Sequence, residues 1–593
     1  VYDANGNYNF KALKGGADGT KIYADNDVWN PLATAKETKT DKNNITNEIS
    51  TFLEFRLLKG LSLRVTGAAT INSNDEQHYY STKTQPGRGV SGLGDLTTNK
   101  YEYYQNSNIL TYNTTFNEKH ALTITGVAEQ QLIQSKGSYI NAQGFFSDET
   151  GINDLGGASQ INERSSSVSK QTLNSFLGRV NYVFDEKYLV TASYRADGSS
   201  VFGANNKWGY FPSAAVAWRV SEENFIKDIK AISNLKLRAS WGRTGNQAIQ
   251  PYQTLATVAS GFNYPYDGNS TTNIGFALGR AANPGLKWET TEQTNLGIDL
   301  GLFNDRLFAT VDVYKKTTTD LLLNKQVEAY TGFSTILSNV GSIQNRGLEI
   351  AIGGKPLAGR DLRWTTSANI SFNRSKVLAL LDNKPLAIRT NTGGGYQIYA
   401  SGFSLKYLQI GQPVDQMRGY VNLGTWSEAE KDAAKAMGQA PGDPKWKDVN
   451  KDGKITLDAD GQEVIGNATP KFIYGWNNNI SYKNFDLTFL IQGSYGNDIF
   501  NAVRIKTENP ANGLSVNLNN RWTTDNQHTN VPVFLSSRER VLLDLGSNKT
   551  TGMGADQRSS RWVEDGSYLR MKNITLTYTL PESLLNSMRV NRL

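Results

Sequence analysis

Residues 295–313 read NLGIDLGLFNDRLFATVDV, and this stretch alternates apolar and polar side chains on both sides of a short polar break. Every second position from Leu296 to Leu302 is aliphatic, and Asn, Gly and Asp occupy the positions between them. The pair Asn304-Asp305 favours a tight turn, after which the alternation resumes as far as Val313. Because successive strand residues point to opposite faces, the stretch predicts an antiparallel hairpin with one apolar face and one polar face.

The same pattern recurs along the chain, at 176–194 around Asp185-Glu186, at 363–372, at 480–492 around Lys483-Asn484, and at 574–580. The apolar face is aliphatic with aromatic residues towards the strand ends, whereas the polar face carries Thr, Ser, Asn and Arg. This distribution is typical of a lipid-facing exterior around a watery lumen. We therefore predict an all-β fold, a transmembrane antiparallel β-barrel, although a soluble β-sandwich would also alternate.

The polar face supplies the candidate lumen-facing residues. They are Arg179, Asn181, Arg195, Arg363 and Asn369. Each is expected to solvate the lumen or an interface within it, rather than to bind a specific ligand.

Connections between the predicted strands alternate between short and long, as in outer-membrane barrels with short periplasmic turns and long extracellular loops. The predicted long loops are 134–169, 245–287, 376–398, 426–468 and 502–566. One of them is predicted to hold a helix, capped by Ser427 with Glu430 completing a capping box. The sequence contains about sixteen to eighteen strand candidates. The count is a range because strand boundaries read from sequence are uncertain by several residues.

Composition narrows the classes of function. The 593 residues include no cysteine, which excludes disulfides, thiolate metal sites and a cysteine nucleophile. The net charge is +7, but Lys and Arg are dispersed, so nucleic acid is not expected as a partner. The three histidines, His78, His120 and His528, are not spaced for a zinc site or a triad, so we expect no catalytic residues and no enzyme. Trp426 and Trp446 could stack on sugars or could be packing anchors.

The most specific local motif is a candidate calcium loop at residues 448–460. Asp448, Asn450 and Asp452 occupy positions 1, 3 and 5, Gly453 occupies position 6, and the carbonyl of Lys454 would be the ligand at position 7. The remaining candidate ligands are Thr456, Asp458 and Asp460; the last two flank Ala459, which stands where an acidic residue is expected. We predict a structural Ca²⁺ ion here, and the alternative is an Asn/Asp/Gly turn that binds nothing.

Several longer motifs resemble SusC/RagA-type TonB-dependent transporters of the outer membrane. They are Asp197–Gly203 (DGSSVFG), Trp208–Ser213 (WGYFPS) with Ala217-Trp218, Leu237–Asn246 (LRASWGRTGN), Asn283–Glu289 (NPGLKWE), Thr294–Asp299 (TNLGID), Asn339–Asn345 (NVGSIQN) with Gly347 and Glu349, Pro441–Asp443 (PGD), Ile465-Gly466, Pro470, Tyr474-Gly475 and Ser567–Ile574 (SYLRMKNI). Their order along nearly the whole chain makes the resemblance specific.

The resemblance implies a barrel of about 22 strands with a plugged lumen, in the outer membrane of a bacterium of the Bacteroidota. It implies active import of oligosaccharides or peptides, a SusD-like surface lipoprotein as a lid, and energy from TonB–ExbB–ExbD acting through the plug. The family's N-terminal extension, TonB box, plug and first strands have no counterpart in this sequence, and family members continue beyond Leu593. Residues 1–593 are therefore expected to be a barrel domain that is incomplete at both ends.

Two other classes of function stay open on the sequence. The barrel could be a passive pore or a scaffold component of a larger envelope complex. A soluble β-rich adhesin or glycan-binding protein would share the alternation but would need no lipid bilayer.

Overall fold

The computed structural model describes residues 30–262, 264–265, 272–273, 275–388, 406–437, 439–451, 453, 463–508, 515–533 and 559–581, together with 8, 13–15 and 21–23. The dominant element is one antiparallel sheet of fifteen strands. Each inner strand pairs with the sheet strand that precedes it and with the sheet strand that follows it along the chain. This order is the up-and-down arrangement of a barrel wall.

The strands of the wall are as follows. They are β1 (Thr38–Leu58), β2 (Leu61–Tyr80), β3 (Leu93–Phe116), β4 (His120–Phe145), β5 (Ala158–Phe184), β6 (Tyr188–Ser199), β7 (Trp208–Arg219), β8 (Ile232–Asn246), β9 (Glu289–Leu302), β10 (Leu307–Thr319), β11 (Ser342–Ala358), β12 (Leu362–Ala379), β13 (Phe472–Tyr482), β14 (Phe485–Tyr495) and β15 (Tyr568–Tyr578).

The connections divide the wall into a short-turn end and a long-loop end, which confirms the predicted asymmetry. At the short-turn end, β5 and β6 are joined through Asp185 and Glu186, both with positive φ, and β13 and β14 through Lys483 and Asn484. At the long-loop end, the connections include 247–288, 320–341, 380–471 and 496–567. The predicted loops 376–398 and 426–468 therefore belong mostly to one connection.

The predicted loop 134–169 is wrong. β4 continues to Phe145 and β5 begins at Ala158, and the two strands stay paired from Gln134–Lys170 to Phe145–Ala158. This extension is largely polar on both faces, since it includes Ser135, Lys136 and Ser166. A strand with water on both sides has no reason to alternate apolar and polar residues. Since that alternation is the signal by which the sequence predicts strands, this extension reads as a loop.

Smaller elements lie mostly at the long-loop end and in the N-terminal region; Val220–Glu222 lies at the short-turn end. The minor strands are Leu13–Gly15, Lys21–Tyr23, Thr257–Ser260, Tyr264–Pro265, Thr272–Asn273, Phe276–Arg280, Leu322–Gln326, Thr335–Asn339, Leu386–Ile388, Lys406–Leu408, Gln416–Gly419, Asn422–Thr425, Pro444–Trp446, Glu463–Asn467, Asp498–Phe500 and Val563–Asp565. The α-helices are α1 (Pro31–Glu37), α2 (Gln85–Arg88), α3 (Lys431–Ala436) and α4 (Ala502–Thr507). The 3₁₀ turns are Gly151–Gly157, Val220–Glu222, Ala329–Thr331, Leu381–Asn383, Glu428–Glu430, Val516–Asn520 and Ser560–Trp562. In the part of the chain that the structure describes, no helix has the length and apolarity needed to span a membrane.

The apolar face of the wall is exposed. Leu296 and Ile298 are 57% and 47% exposed, although a soluble sheet would bury such residues. Aromatic pairs mark both margins of this face: Tyr188 and Trp218 lie near the short-turn end, with ring centroids 6.4 Å apart, and Tyr194 and Tyr210 lie towards the long-loop end, 6.1 Å apart. An exposed aliphatic band between aromatic margins is the exterior of a membrane barrel.

Candidate lumen wall and long-loop rim

All five candidate lumen-facing residues lie on one face of the sheet, which we call the polar face. Cross-strand partners link this face from Arg179 on β5 to Asn369 on β12. The linking residues are Ser193, Ser213, Gly242, Gln293, Lys316, Asn345 and Ser375. Arg179 and Arg363 are exposed on this face. That the polar face lines the lumen stays a prediction.

Two of the five candidates have defined side-chain partners. The Nε atom of Arg195 donates to both carboxylate oxygens of Asp197, each at 2.9 Å. The amide oxygen of Asn181 accepts a hydrogen bond of 2.9 Å from the hydroxyl of Thr191 on the neighbouring strand. These contacts fix the side chains against the wall, which supports the expectation that they shape its surface.

A charge cluster on the polar face is not singled out by the sequence. Arg238 on β8 donates to both oxygens of Asp299 on β9, at 2.8 and 3.0 Å, and to both oxygens of Asp312 on β10, at 3.0 Å each. Gly297 lies between them, and a Cβ there would come within 2.6 Å of the guanidinium group. Cross-strand register brings the three charges together, and a single sequence does not give register between strands far apart.

The family-like motifs converge on a hydrophobic rim cluster at the long-loop end, formed by Val201, Phe202, Phe211, Leu286 and Trp288. Trp288 packs against the rings of Phe202 and Phe211, with centroids 5.1 and 5.6 Å away, and its indole N–H donates to the carbonyl of Lys207 at 2.9 Å. These residues come from the DGSSVFG, WGYFPS and NPGLKWE segments. The motifs therefore encode a packing unit that holds the loops above the wall.

Close packing explains two glycines in these motifs. A Cβ on Gly245 would lie 2.1 Å from the ring of Phe211, and a Cβ on Gly203 would lie 2.2 Å from the carbonyl oxygen of Pro284. No side chain fits at either position without moving its neighbour. The Asn339 amide extends the same unit, because it donates to the carbonyl of Lys287 at 2.8 Å and its oxygen accepts from the Lys287 N–H at 3.0 Å.

The two longest connections fold together into what we call the loop body, made of the described residues of 416–447, 496–533 and 559–567. Trp426 and Trp446 lie inside it, with 6% and 3% of their surfaces exposed. The indole N–H of Trp426 donates to Gln439 at 2.9 Å. Both tryptophans are thus packing anchors, and sugar stacking on either one is excluded by its burial.

The predicted helix forms within the loop body, as a 3₁₀ turn from Glu428 followed by α3. The carboxylate of Glu430 accepts hydrogen bonds from the backbone N–H and the hydroxyl of Ser427, at 3.2 and 3.0 Å. The capping box is confirmed. The pKa of Glu430 is lowered to about 2, first by the ion pair with Lys445 and to a smaller extent by the two hydrogen bonds from Ser427.

A buried ion-pair network closes the other side of the loop body. Glu508, 4% exposed, accepts from Arg504 at 2.8 Å, from Asn517 at 2.8 Å and from Arg561 at 3.1 Å. Burial raises the pKa of Glu508, but the hydrogen bonds from Arg504 and Asn517 outweigh burial, and the net shift is downward. The second nitrogen of Arg504 reaches Glu564 at 2.7 Å. This network joins α4 to the segment that leads into β15.

Only part of the candidate calcium loop lies within the described residues. The carboxylate of Asp448 accepts from the backbone N–H of Lys451 at 2.7 Å and of Gly453 at 2.9 Å. Of the other predicted ligands, Asn450 is described, whereas Asp452, Lys454, Thr456, Asp458 and Asp460 lie outside the described residues. Among the residues that are described, no group of three acidic or His side chains is placed to hold a metal ion. The calcium site stays a prediction.

Taken together, the exposed aliphatic band, the aromatic margins and the loop asymmetry define a class of protein, the transmembrane β-barrels of outer membranes. Comparison with known proteins narrows the class. Residues 1–429 match the family described as "TonB dependent receptor-like, beta-barrel", and the chain belongs to this family.

Relatives of known name support the assignment. TonB-dependent receptor P3 of Formosa agariphila is 32% identical over 588 residues, which are 99% of this chain and 55% of that protein. TonB-dependent receptor SusC of Bacteroides thetaiotaomicron is 29% identical over 93% of this chain and 52% of its own length. The chain therefore spans about half the length of these relatives.

Solved structures give the same assignment. The chain is similar to the RagAB peptide transporter, with a TM-score of 0.77 and 26% identity over 98% of this chain and 60% of that one. It is an outer-membrane β-barrel of the SusC/RagA type, as the sequence motifs indicated.

Proposed function

We propose that the protein imports oligosaccharides or peptides across the outer membrane by TonB-dependent active transport. The observation that carries this proposal is the match to the RagAB peptide transporter over 98% of the chain, which includes the wall and the loop regions alike. The relatedness to SusC supports the same class of activity. Since this chain spans about half of its curated relatives, the activity is proposed for the whole protein.

The geometry fits a route along the polar face. Arg179, Asn181, Arg195, Arg363 and Asn369 would line the lumen, and Arg238 with its two aspartates would add a fixed charged patch to the same wall. A polar surface of this kind suits hydrated cargo, since it offers donors and acceptors without a large apolar patch. No residue is proposed as catalytic.

A SusD-like surface lipoprotein is the proposed lid, and TonB–ExbB–ExbD the proposed energy source through a plug. The loop body supports this proposal because its buried tryptophans and ion pairs make it a folded surface on which a lid lipoprotein could dock. Two cargo classes are proposed: peptide is supported by the similarity to the RagAB peptide transporter, and oligosaccharide by the resemblance to SusC-type importers.

The test is purification of the protein from outer membranes in mild detergent, with mass spectrometry of everything that co-purifies. A lipoprotein in equal amount, plug peptides from the same polypeptide, and a bound oligomer are the expected result. Bound material identified as peptide or glycan would set the cargo class. Recovery without a lid but within a complex of other barrels would contradict import and indicate a scaffold.

A further inference from the structure

Three cations stand side by side on the apolar face of the wall, one on each of three adjacent strands. Lys315 on β10 is the direct cross-strand partner of Arg346 on β11, which is the direct partner of Arg374 on β12. All three side chains are exposed. We call them the cation row.

The row carries unbalanced charge. Within the described ranges, none of the three side chains forms an ion pair, and Arg374 donates only to the backbone carbonyls of Asn373 and Lys471, at 2.8 Å each. Like charges directly opposite one another destabilise a sheet. Nearby carboxylates have other direct partners: Glu292 pairs with Arg243 at 3.0 Å and interacts with Lys315 only through space, and Asp565 accepts from the N–H of Ser567 at 2.8 Å.

The position of the cation row along the strands places it at the boundary between lipid and water. On the same face, the next residues towards the short-turn end are Val313, Leu348 and Phe372, directly paired across the strands. From Leu307 to Val313 the aliphatic band spans seven residues, which is about 20 Å at the rise of a strand. The row therefore lies at the margin of the hydrocarbon region, on the long-loop side, which faces outward in such barrels.

The row and the band share one surface depression, whose lining includes Leu296, Val313, Leu348 and Phe372 besides the three cations. An apolar floor with three cations along one margin matches an amphiphile that has acyl chains and an anionic head. Arginine binds phosphate oxygens through its planar fork, and lysine adds a point charge. Alkyl chains alone would leave the charges unbalanced, and a free anion would leave the floor unused.

We propose that this surface binds a phosphate-bearing lipid of the outer leaflet, with its phosphate on Lys315, Arg346 and Arg374 and its acyl chains on the aliphatic band. The proposal does not depend on import, because its readout is lipid retained by the barrel. The bound phosphate would offset the repulsion within the row.

The test is native mass spectrometry of the detergent-purified protein with added lipid A, compared with the same lipid after enzymatic removal of its phosphates. The wild-type protein is expected to bind the phosphorylated lipid at least about tenfold more tightly. The double variant K315Q/R346Q, which keeps the backbone contacts of Arg374, is expected to lose this preference. The matched control K316Q changes the adjacent cation on the opposite face and is expected to keep it.

Four results would overturn the proposal. The double variant could keep the preference for the phosphorylated lipid although circular dichroism shows an intact barrel. The wild-type protein could bind both lipids equally. Millimolar inorganic phosphate could displace the lipid completely, which would indicate a site for a free anion. Restoring charge with K315R/R346K should restore the preference, and its failure to do so in a folded barrel would also contradict the proposal.

Discussion

The wall and the rim of this protein, where the rim means all connections at the long-loop end, differ in which kinds of residue they expose. In the wall, Leu296 and Ile298 point outward and the charged cluster around Arg238 lies on the other face. In the rim, the large rings of Trp288 and Phe202 are buried inside a hydrophobic cluster. The same chain therefore follows two burial rules, and the surrounding medium decides between them: lipid around the wall and water around the rim.

This difference sets what holds each region together. The wall depends on ladder hydrogen bonds and cross-strand pairs, whereas the rim depends on compact aromatic clusters and a few ion pairs. Substitutions of large buried rings should therefore be costly in the rim, and removal of a charge should be costly in the wall only where it leaves its partners without a counter-charge.

The largest effect is expected from Trp288→Ala in the rim cluster. Removal of a ring that is 8% exposed should cost about 3–5 kcal/mol of unfolding free energy, since the cavity it leaves cannot be filled by its neighbours. Urea denaturation followed by circular dichroism measures this loss. Tyr330→Ala, at a side chain that is 89% exposed, is the control and should change stability little. Equal losses in the two variants would remove the distinction between rim core and rim surface.

The next effect concerns the charged cluster of the wall. Arg238→Met would leave Asp299 and Asp312 facing each other without a counter-charge, at a cost of about 1–3 kcal/mol. Arg243→Met is the control on the same strand, because the single ion pair of Arg243 with Glu292 is about half exposed and should contribute less than about 1 kcal/mol. Both costs are measured by urea denaturation, and a smaller loss in Arg238→Met than in Arg243→Met would show that the cluster is not structural.

A smaller effect is expected at the candidate calcium loop of the rim. If Ca²⁺ binds, tenfold excess over its dissociation constant should stabilise the loop by about 1.4 kcal/mol. Hydrogen exchange of the peptides around Asp448 with and without Ca²⁺ measures this protection. Asp448→Asn should abolish it, and identical exchange in both conditions for the native sequence would leave only an Asn/Asp/Gly turn.

The smallest effect is a pH dependence at the capping box of α3. Because the folded-state pKa of Glu430 is lowered to about 2 from an ordinary value of 4.5, its stabilisation is present above pH 4.5 and is lost as the pH falls towards 2. The side chain is partly exposed, so the effect should stay below about 1 kcal/mol. Hydrogen exchange of α3 in Glu430→Gln should lack this pH dependence. A variant that titrates like the native protein would assign the effect to other groups.

The sequence predicted the wall better than the rim for a physical reason. Alternation at 295–313 reports a strand between lipid and water, and the turn at Asp185-Glu186 reports the hairpin. The polar strands from Gln134 to Ser169 carry no such contrast, so they were predicted to be a loop. The capping box at Ser427 is local and was found, whereas the Arg238 cluster depends on register between β8, β9 and β10. The motifs around Trp288 indicated the family without showing that they pack together.

The central claim is that one face of the wall meets lipid while the other meets water. The native chain has no cysteine, so single cysteines can be placed at residues 365–370 on β12, labelled with a small fluorophore and refolded into bilayers that contain nitroxide lipids. The account predicts quenching at 366, 368 and 370 and little quenching at 365, 367 and 369, where the candidate lumen residue Asn369 lies. Equal quenching at all six positions, or the opposite phase, would contradict it.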